Sequence, residues 1–254
     1  MKFKFENIAE EKFKEIKALK EKRSLISAIE ETEGSGLIPV IAEIKRRSPS
    51  KGKIRDVDLV RTARQMENGG ACAISVLTDK NFDGSLEDLK RVKEAVKIPV
   101  LRKDFIVDEF QIYQSYGAGV DAVLLIVSLL REKTMEFVEL THDLGMEALV
   151  EIHNEDEIRF ALDSNAKLIG INNRNLKTLR IDLGTTESLT RKIPKNRIII
   201  SESGINDKED LKRVLKAGAN AVLIGTSIIK AENIEERVRE FVENDQGKDL
   251  WNNK

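Results

Sequence analysis

Cysteine is all but missing from this chain. Cys72 stands alone among 254 residues, so no internal disulfide can form and a reducing compartment is expected. Proline is scarce at four residues, which excludes a proline-rich linker protein. Neither sign of charge predominates: 43 basic side chains against 44 acidic ones leave a net charge of −1. Generic attraction to nucleic acid or to an anionic membrane needs clustered positive excess, so neither is expected as a partner. Long hydrophobic runs are absent too. Val123 to Leu130, interrupted by one serine, falls far short of the ~20 residues that cross a bilayer. Met1 to Lys22 mixes charges with apolar residues where a signal peptide needs an unbroken core. The expected location is the cytoplasm.

What the chain does have is material for a core. It is 41% hydrophobic and 34% charged, which excludes a disordered polymer. In the charged opening, Ile8, Phe13, Ile16, Leu19, Ile26 and Ile29 recur at roughly helical spacing, predicting an extra N-terminal helical segment over residues 1–33. Past Glu33-Gly34-Ser35-Gly36 the chain alternates between apolar runs and segments dense in Lys and Glu. Eight runs read as strands: Pro39–Ile44, Ala71–Leu77, Pro99–Arg102, Ala122–Val127, Ala148–Ile152, Lys167–Ile171, Arg197–Ser201 and Ala221–Gly225. They are continuously apolar rather than alternating, as strands covered on both faces are. The segments Asp58–Asn68, Ser85–Val96, Asp108–Tyr116, Arg131–Leu144, Glu155–Ser164, Thr185–Lys192, Asp207–Lys216 and Asn233–Val242 read as helices. Gly69, Gly117, Gly145 and Gly218 stand where a left-handed C-cap is wanted. A Gly-x-x-Ala-aliphatic pattern opens the second, fourth and eighth runs, with a looser copy at Asn165-Ala166 opening the sixth. Strand and helix in eightfold alternation predict an α/β fold, a (β/α)8 TIM barrel with an extra N-terminal helix, in one domain over residues 1–254 with the barrel at 37–244. A doubly wound open sheet is the rival architecture, but it usually has about five or six strands, so eight units favour closure.

Several motifs carry no chemistry in this context. Gly117-Ala118-Gly119-Val120-Asp121-Ala122 fits a dinucleotide fingerprint in form, yet it follows a helix and precedes a strand, the reverse of what phosphate binding needs. Ser48-Pro49-Ser50-Lys51 matches S-x-x-K without its companion motifs. Cys72 reads as core, His142 as a surface or satisfied histidine, and His153 as a residue at a strand end with no visible partner. Two distant histidines and one cysteine match no zinc spacing, so no metal is expected.

A barrel builds its active site from strand C-termini and the loops after them. Glu43 and Lys45 lie two apart near the end of the first run and point the same way. Lys103 follows the third run, Glu151 sits in the fifth, Asn172 and Arg174 follow the sixth, and Glu202 follows the seventh. Charges at the ends of buried strands are costly unless they pair or act. Such Lys–Glu sets are also what shifts proton affinities toward acid–base work. Ser203-Gly204 and Gly225-Thr226 form glycine-bearing turns after the last two strands, the common barrel phosphate site, which Ser48 and Lys45 would complete.

Taken together, these segments resemble the indole-3-glycerol phosphate synthase family. The resemblance runs from about Pro39 to the last helix, most specifically through Pro39-Val40-Ile41-Ala42-Glu43-Ile44-Lys45-Arg46-Arg47-Ser48-Pro49-Ser50 and Ile169-Gly170-Ile171-Asn172-Asn173-Arg174-Asn175-Leu176. It implies a lyase that closes the indole ring, with loss of carbon dioxide and water, on 1-(2-carboxyphenylamino)-1-deoxyribulose 5-phosphate, without metal or organic cofactor. By that resemblance Lys103 is the first choice for general acid, with Lys45 the competing assignment or a contact to the substrate carboxylate. Glu43 would orient the lysines, and Glu151 with Asn172 would serve the loss of water. Glu202 and Arg174 would line the pocket. Phe82, Phe105, Leu124 and Leu223 would cover the anthranilate ring, while Ser48, Ser203, Gly204, Gly225 and Thr226 would hold phosphate. The family often carries an extra helix near the mouth, which suits a lid or a substrate-side wall. A monomer is expected, with association with other enzymes of tryptophan biosynthesis as a further option. Another sugar-phosphate barrel, such as phosphoribosylanthranilate isomerase, and a catalytically dead phosphate-binding barrel are the rival readings.

Overall fold

A computed structural model describes residues 22–48, 52–53 and 57–244, with the side chains of Ser48 and Lys53 excepted. Eight parallel strands close into a barrel: β1 (Val40–Ile44), β2 (Ala73–Leu77), β3 (Val100–Lys103), β4 (Ala122–Ile126), β5 (Glu147–Ile152), β6 (Leu168–Asn172), β7 (Ile198–Glu202) and β8 (Ala221–Ile224). Each pairs with its sequence neighbour, and β1 closes the ring on β8 through Val40↔Val222 and Ala42↔Ile224. The closed ring decides against the open sheet. A short antiparallel pair, Arg47–Ser48 with Gly52–Lys53, follows β1.

The main helices that follow the strands are α2 (Leu59–Asn68), α3 (Leu86–Ala95), α4 (Glu109–Gly117), α5 (Thr134–Asp143), α6 (Ile158–Asp163), α7 (Gly184–Thr190), α8 (Lys208–Lys216) and α9 (Ile234–Val242), with single turns at Val127–Leu130 and Thr226–Ile229. Helix α1 (Leu25–Gly34) precedes β1. Asp58, Ser85, Asp108, Asp207 and Asn233 are N-caps whose side chains accept first-turn backbone N–H groups. Helices expected to begin at these residues therefore begin one residue later. The segment read as one helix over Arg131–Leu144 opens instead on a 3-10 turn, Arg131–Lys133, and only its second part is α5. The C-cap expectation needs correction at two places. Gly69 and Gly117 keep helical geometry, and the chain reverses instead at Gly70 and Gly119, each the left-handed residue of a Schellman turn.

The uninterrupted apolar runs have a geometrical cause. Successive side chains alternate between two cores, so both parities must be apolar. Val40, Ala42, Ile44, Val123, Leu125 and Ile169 pack outward under the helices. Ile41, Leu101, Leu149, Leu168, Ile200 and Leu223 fill the barrel interior. Leu25 and Ile29 of α1 join that interior cluster, each fully buried and worth about 1.5–3 kcal/mol. The start of α1 is tied to the first residue of β5: Glu147 accepts from Ser24 Oγ (2.7 Å) and from the backbone N–H groups of Leu25 (2.7 Å) and Ile26 (3.0 Å). Arg23 N donates to Asp121 just before β4. The extra helix thus closes the N-terminal end of the barrel, opposite the mouth. This corrects the lid or mouth-wall role for the described part of the segment. Ile8, Phe13, Ile16 and Leu19 lie outside the described residues, as do Pro49, Ser50 and Lys51.

Candidate active site

The parity that fills the lower barrel with Ile and Leu carries polar residues into the mouth. Ile41 leads to Glu43 and then Lys45, Leu101 to Lys103, Leu149 to Glu151, Gly170 to Asn172, and Ile200 to Glu202. Lys103, Asn172 and Glu202 are the last residues of their strands rather than the first of their loops, so the ladder itself holds them. All line one cavity of about 360 Å³ at the C-terminal mouth. It also takes in Phe82, Phe105, Leu124, Arg174, Ser203, Gly204, Leu223, Gly225 and Thr226. Every site residue expected from the sequence is therefore gathered there except Ser48, whose side chain lies outside the described residues.

The carboxylates are deeply buried: Glu43 is 3% exposed, Glu151 and Glu202 1% each. Burial of an unpaired charge costs several kcal/mol per ion, so each must find a partner. Lys103 Nζ donates to Glu202 Oε2 at 2.8 Å and to Glu151 Oε2 at 3.1 Å. Lys45 Nζ donates to Glu43 Oε1 at 2.5 Å. Burial opposes the Lys103 charge, but the carboxylates of Glu151, Glu202 and Glu43 outweigh it and hold the ammonium far more firmly than usual. The two carboxylates on Lys103 are driven apart. Burial raises both. Glu151 is nonetheless held below the usual range by Lys103, His153 and Asn172, whereas Glu202 is pushed up to about 7, with the neighbouring Glu151 charge adding to burial. Glu202 Oε1 is buried without a hydrogen-bond partner, so a proton is welcome there. Two carboxyl groups of opposite tendency beside one ammonium is an acid–base arrangement.

Glycines make room for these side chains. A Cβ on Gly170 would lie 2.3 Å from Glu202 Oε1, and one on Gly225 would lie 2.4 Å from Glu43 Oε1. The mouth is apolar on one side, where Phe82 and Phe105 stand with ring centroids 6.3 Å apart near Leu124. Opposite, Ser203 (φ 66°) and Gly204 (φ 92°) form a left-handed turn anchored by Asn173 Nδ2, which donates to Ser203 O at 3.0 Å.

The sequence reading missed three features. The loop after β6 folds back on itself through the Arg174↔Ile181 bridge and adds Leu176, Leu179 and Ile181 to the cavity wall. Behind Lys103, Arg102 donates to Asp104 Oδ2 at 2.8 Å and to Ser115 Oγ at 2.9 Å, tying the end of β3 to α4. His153, read as partnerless, has a carboxylate at ion-pair distance from each ring nitrogen: Nε2 lies 3.0 Å from Glu151 Oε1 and Nδ1 3.3 Å from Glu157 Oε2. The spacing of Glu151, His153 and Glu157, i, i+2 and i+6 across a strand end, was the available signal. Among the described residues, no group of three or more His, Cys, Asp and Glu side chains could hold a metal ion.

A closed parallel barrel with a lysine–glutamate cluster at its mouth defines the class: a (β/α)8-barrel enzyme built for acid–base chemistry on a small molecule. The family follows from the comparisons. Residues 3–241 match the family model for indole-3-glycerol phosphate synthase, and the chain belongs to that family of carboxy-lyases in tryptophan biosynthesis. The chain is 54% identical over 208 residues to the indole-3-glycerol phosphate synthase of Methanocaldococcus jannaschii, covering 80% of this chain and 77% of that one. To the Acetivibrio thermocellus enzyme it is 48% identical over 210 residues, covering 82% and 81%. Among solved structures it resembles thiamine phosphate pyrophosphorylase from Pyrococcus furiosus, with TM-score 0.61, 15% identity, and 81% and 94% of the two chains covered. At that identity the likeness shows the barrel fold alone.

Proposed function

We propose that this site converts 1-(2-carboxyphenylamino)-1-deoxyribulose 5-phosphate to indole-3-glycerol phosphate, carbon dioxide and water, with Lys103 as the general acid. The observation that carries this reading is the Lys103 ammonium, held between Glu151 and Glu202 at the junction of an apolar wall and a turn rich in backbone N–H groups. The substrate has matching ends. Its aryl ring suits Phe82, Phe105, Leu124 and Leu223, and its phosphate suits the Ser203–Gly204 and Gly225–Thr226 turns, with Ser48 from the first loop. Fixing both ends brings the reacting carbons together, for which orientation is worth up to about 7–11 kcal/mol.

Ring closure forms a bond between the carboxyl-bearing aryl carbon and the ribulose carbonyl carbon. Negative charge grows on the carbonyl oxygen, and Lys103 protonates it. The surrounding carboxylates keep Lys103 loaded with that proton, and the developing oxyanion draws it away. Lys45, paired with Glu43, stands beside the cavity as the cation for the substrate carboxylate and, after its loss as carbon dioxide, restores a neutral environment there. Departure of the hydroxyl as water needs a proton delivered and one removed. Lys103, once it has regained a proton from solvent, delivers it to the departing hydroxyl. Glu151, the carboxylate held ionised, takes the proton from the adjacent ring carbon, with Asn172 steadying it, while Glu202 shares the charge on Lys103. Arg174 closes the rim. Among the described residues no helix is long and apolar enough to cross a membrane, and the buried free thiol of Cys72 fits a cytoplasmic setting.

Mixing the protein with this substrate and following indole fluorescence tests the reading. Product should form, and Lys103→Met should slow turnover by about 10²–10⁴-fold, the usual share of a general acid. No product at micromolar enzyme, or full activity in K103M, rejects it.

A further inference from the structure

His153 stands behind the catalytic cluster with no part in the chemistry above. Its side chain is only 9% exposed and sits between two carboxylates, Glu151 on Nε2 and Glu157 on Nδ1. A neutral imidazole has one N–H and would turn a lone pair toward one of them. Only the doubly protonated ring faces both favourably. Glu157 is itself fixed, 2% exposed, accepting the His153 backbone N–H at 2.8 Å through Oε2 and Asn154 Nδ2 at 2.8 Å through Oε1. The ring is therefore anchored from behind and aimed at the catalytic carboxylate. Nε2 is buried and makes no hydrogen bond in this arrangement; it faces Glu151 Oε1 across 3.0 Å as an ion pair.

We propose that His153, held by Glu157, is a positioning residue that fixes the Glu151 carboxylate and keeps it ionised for its step in catalysis. This rests on the catalytic role given to Glu151. A positive charge in contact with Oε1 of a carboxylate whose Oε2 already meets Lys103 leaves no easy place for a proton. Glu202 has Lys103 but no imidazole, and it is the carboxyl group that binds protons more readily. His153, together with Asn172, thus helps to separate two carboxyl groups that share a lysine. The charged and polar groups facing Glu151 are Lys103, Glu202, His153 and Asn172; those facing the imidazole are Glu151 and Glu157. Burial disfavours the imidazolium, yet the two carboxylates carry it up to about 9.

The test combines kinetics with direct titration. With only two histidines in the chain, an H142Q background leaves His153 as the sole imidazole signal in nitrogen-15 NMR. His153 should stay protonated to about pH 9 and lose its proton at clearly lower pH in both E157Q and E151Q. In H153Q, kcat should fall about tenfold or more with KM within about twofold, and the acidic limb of the kcat profile should move up by about one pH unit. H153N, shorter but polar, should recover part of kcat without restoring the limb. In E151Q, adding H153Q should cause little further loss of kcat. The proposal is overturned by an unmoved limb in H153Q, by kcat and KM degrading together, or by a His153 titration indifferent to E151Q. Wild-type turnover in E151Q overturns it from another side. That result removes the role of Glu151 itself, and the NMR titration separates it from a failure of the imidazole–carboxylate link.

Discussion

At the scale of single residues, the site is controlled by side chains that are missing as much as by those present. Gly170 faces the barrel interior on β6, one strand from Glu202, and the space its absent Cβ would take is filled by the Glu202 carboxylate. Gly170→Ala should therefore push that carboxylate off Lys103 while leaving the backbone undisturbed, since the residue adopts no left-handed geometry. Displacement near 1 Å at a reacting group costs on the order of 100-fold, so kcat should drop by roughly 10–100-fold with the far-UV circular dichroism unchanged. A G170A enzyme with normal kcat would show that the exact seat of Glu202 is unimportant. The sequence showed Gly170 only as one apolar letter in a strand. Its purpose depends on a partner thirty-two positions away.

At the scale of elements, α1 divides the molecule's stability from its chemistry. It enters the core through Leu25 and Ile29 and is tethered by Glu147, whose carboxylate caps its first turn with three hydrogen bonds. A carboxylate at a helix N-terminus also meets the positive end of the dipole. Glu147→Ala should lower the unfolding free energy by about 1–3 kcal/mol, read as a lower urea midpoint, because buried donors at the helix start lose their acceptor. Turnover should not change, since Glu147 opens β5 while Glu151 lies near the opposite end of the same strand. A fall in kcat at unchanged stability would contradict this separation. The described part of the amphipathic opening, Leu25–Gly34, is legible in sequence as a helix. Which end of the barrel receives it is not, because apolar spacing marks a face and carries no address.

At the scale of the whole molecule, the buried titratable groups make stability depend on pH in separable windows. His153 binds its proton more tightly folded than unfolded, with its value rising from 6.5 to about 9. Its contribution is complete below 6.5 and is lost as pH climbs through about 9. Glu202 is also raised, from 4.5 to about 7, so it withdraws stability over that lower range as its charge is forced into the core. Glu151 runs the other way: its value is depressed, and its contribution vanishes as pH falls through the acid range. Urea unfolding across pH 5 to 10 should show E202Q flattening the lower descent and H153Q the upper one. A wild-type decline near pH 9 that persists in H153Q would assign the upper window to another group.

The sequence by itself determined the repeating unit, the two-sided apolar strands, the left-handed glycines at Gly145 and Gly218, and the cast of charged residues at the strand ends. These are local properties, set by spacing and side-chain chemistry along a few consecutive residues. Tertiary structure decided which of those charges share a proton. Lys103, Glu151 and Glu202 lie on three strands that are not all adjacent, and they meet only because the ring closes. It likewise revealed the partners of His153, the folded-back wall of Leu176, Leu179 and Ile181, and the end of the barrel that α1 seals. Proton affinity and close packing depend on distances across the fold, and no pattern along the chain encodes them directly.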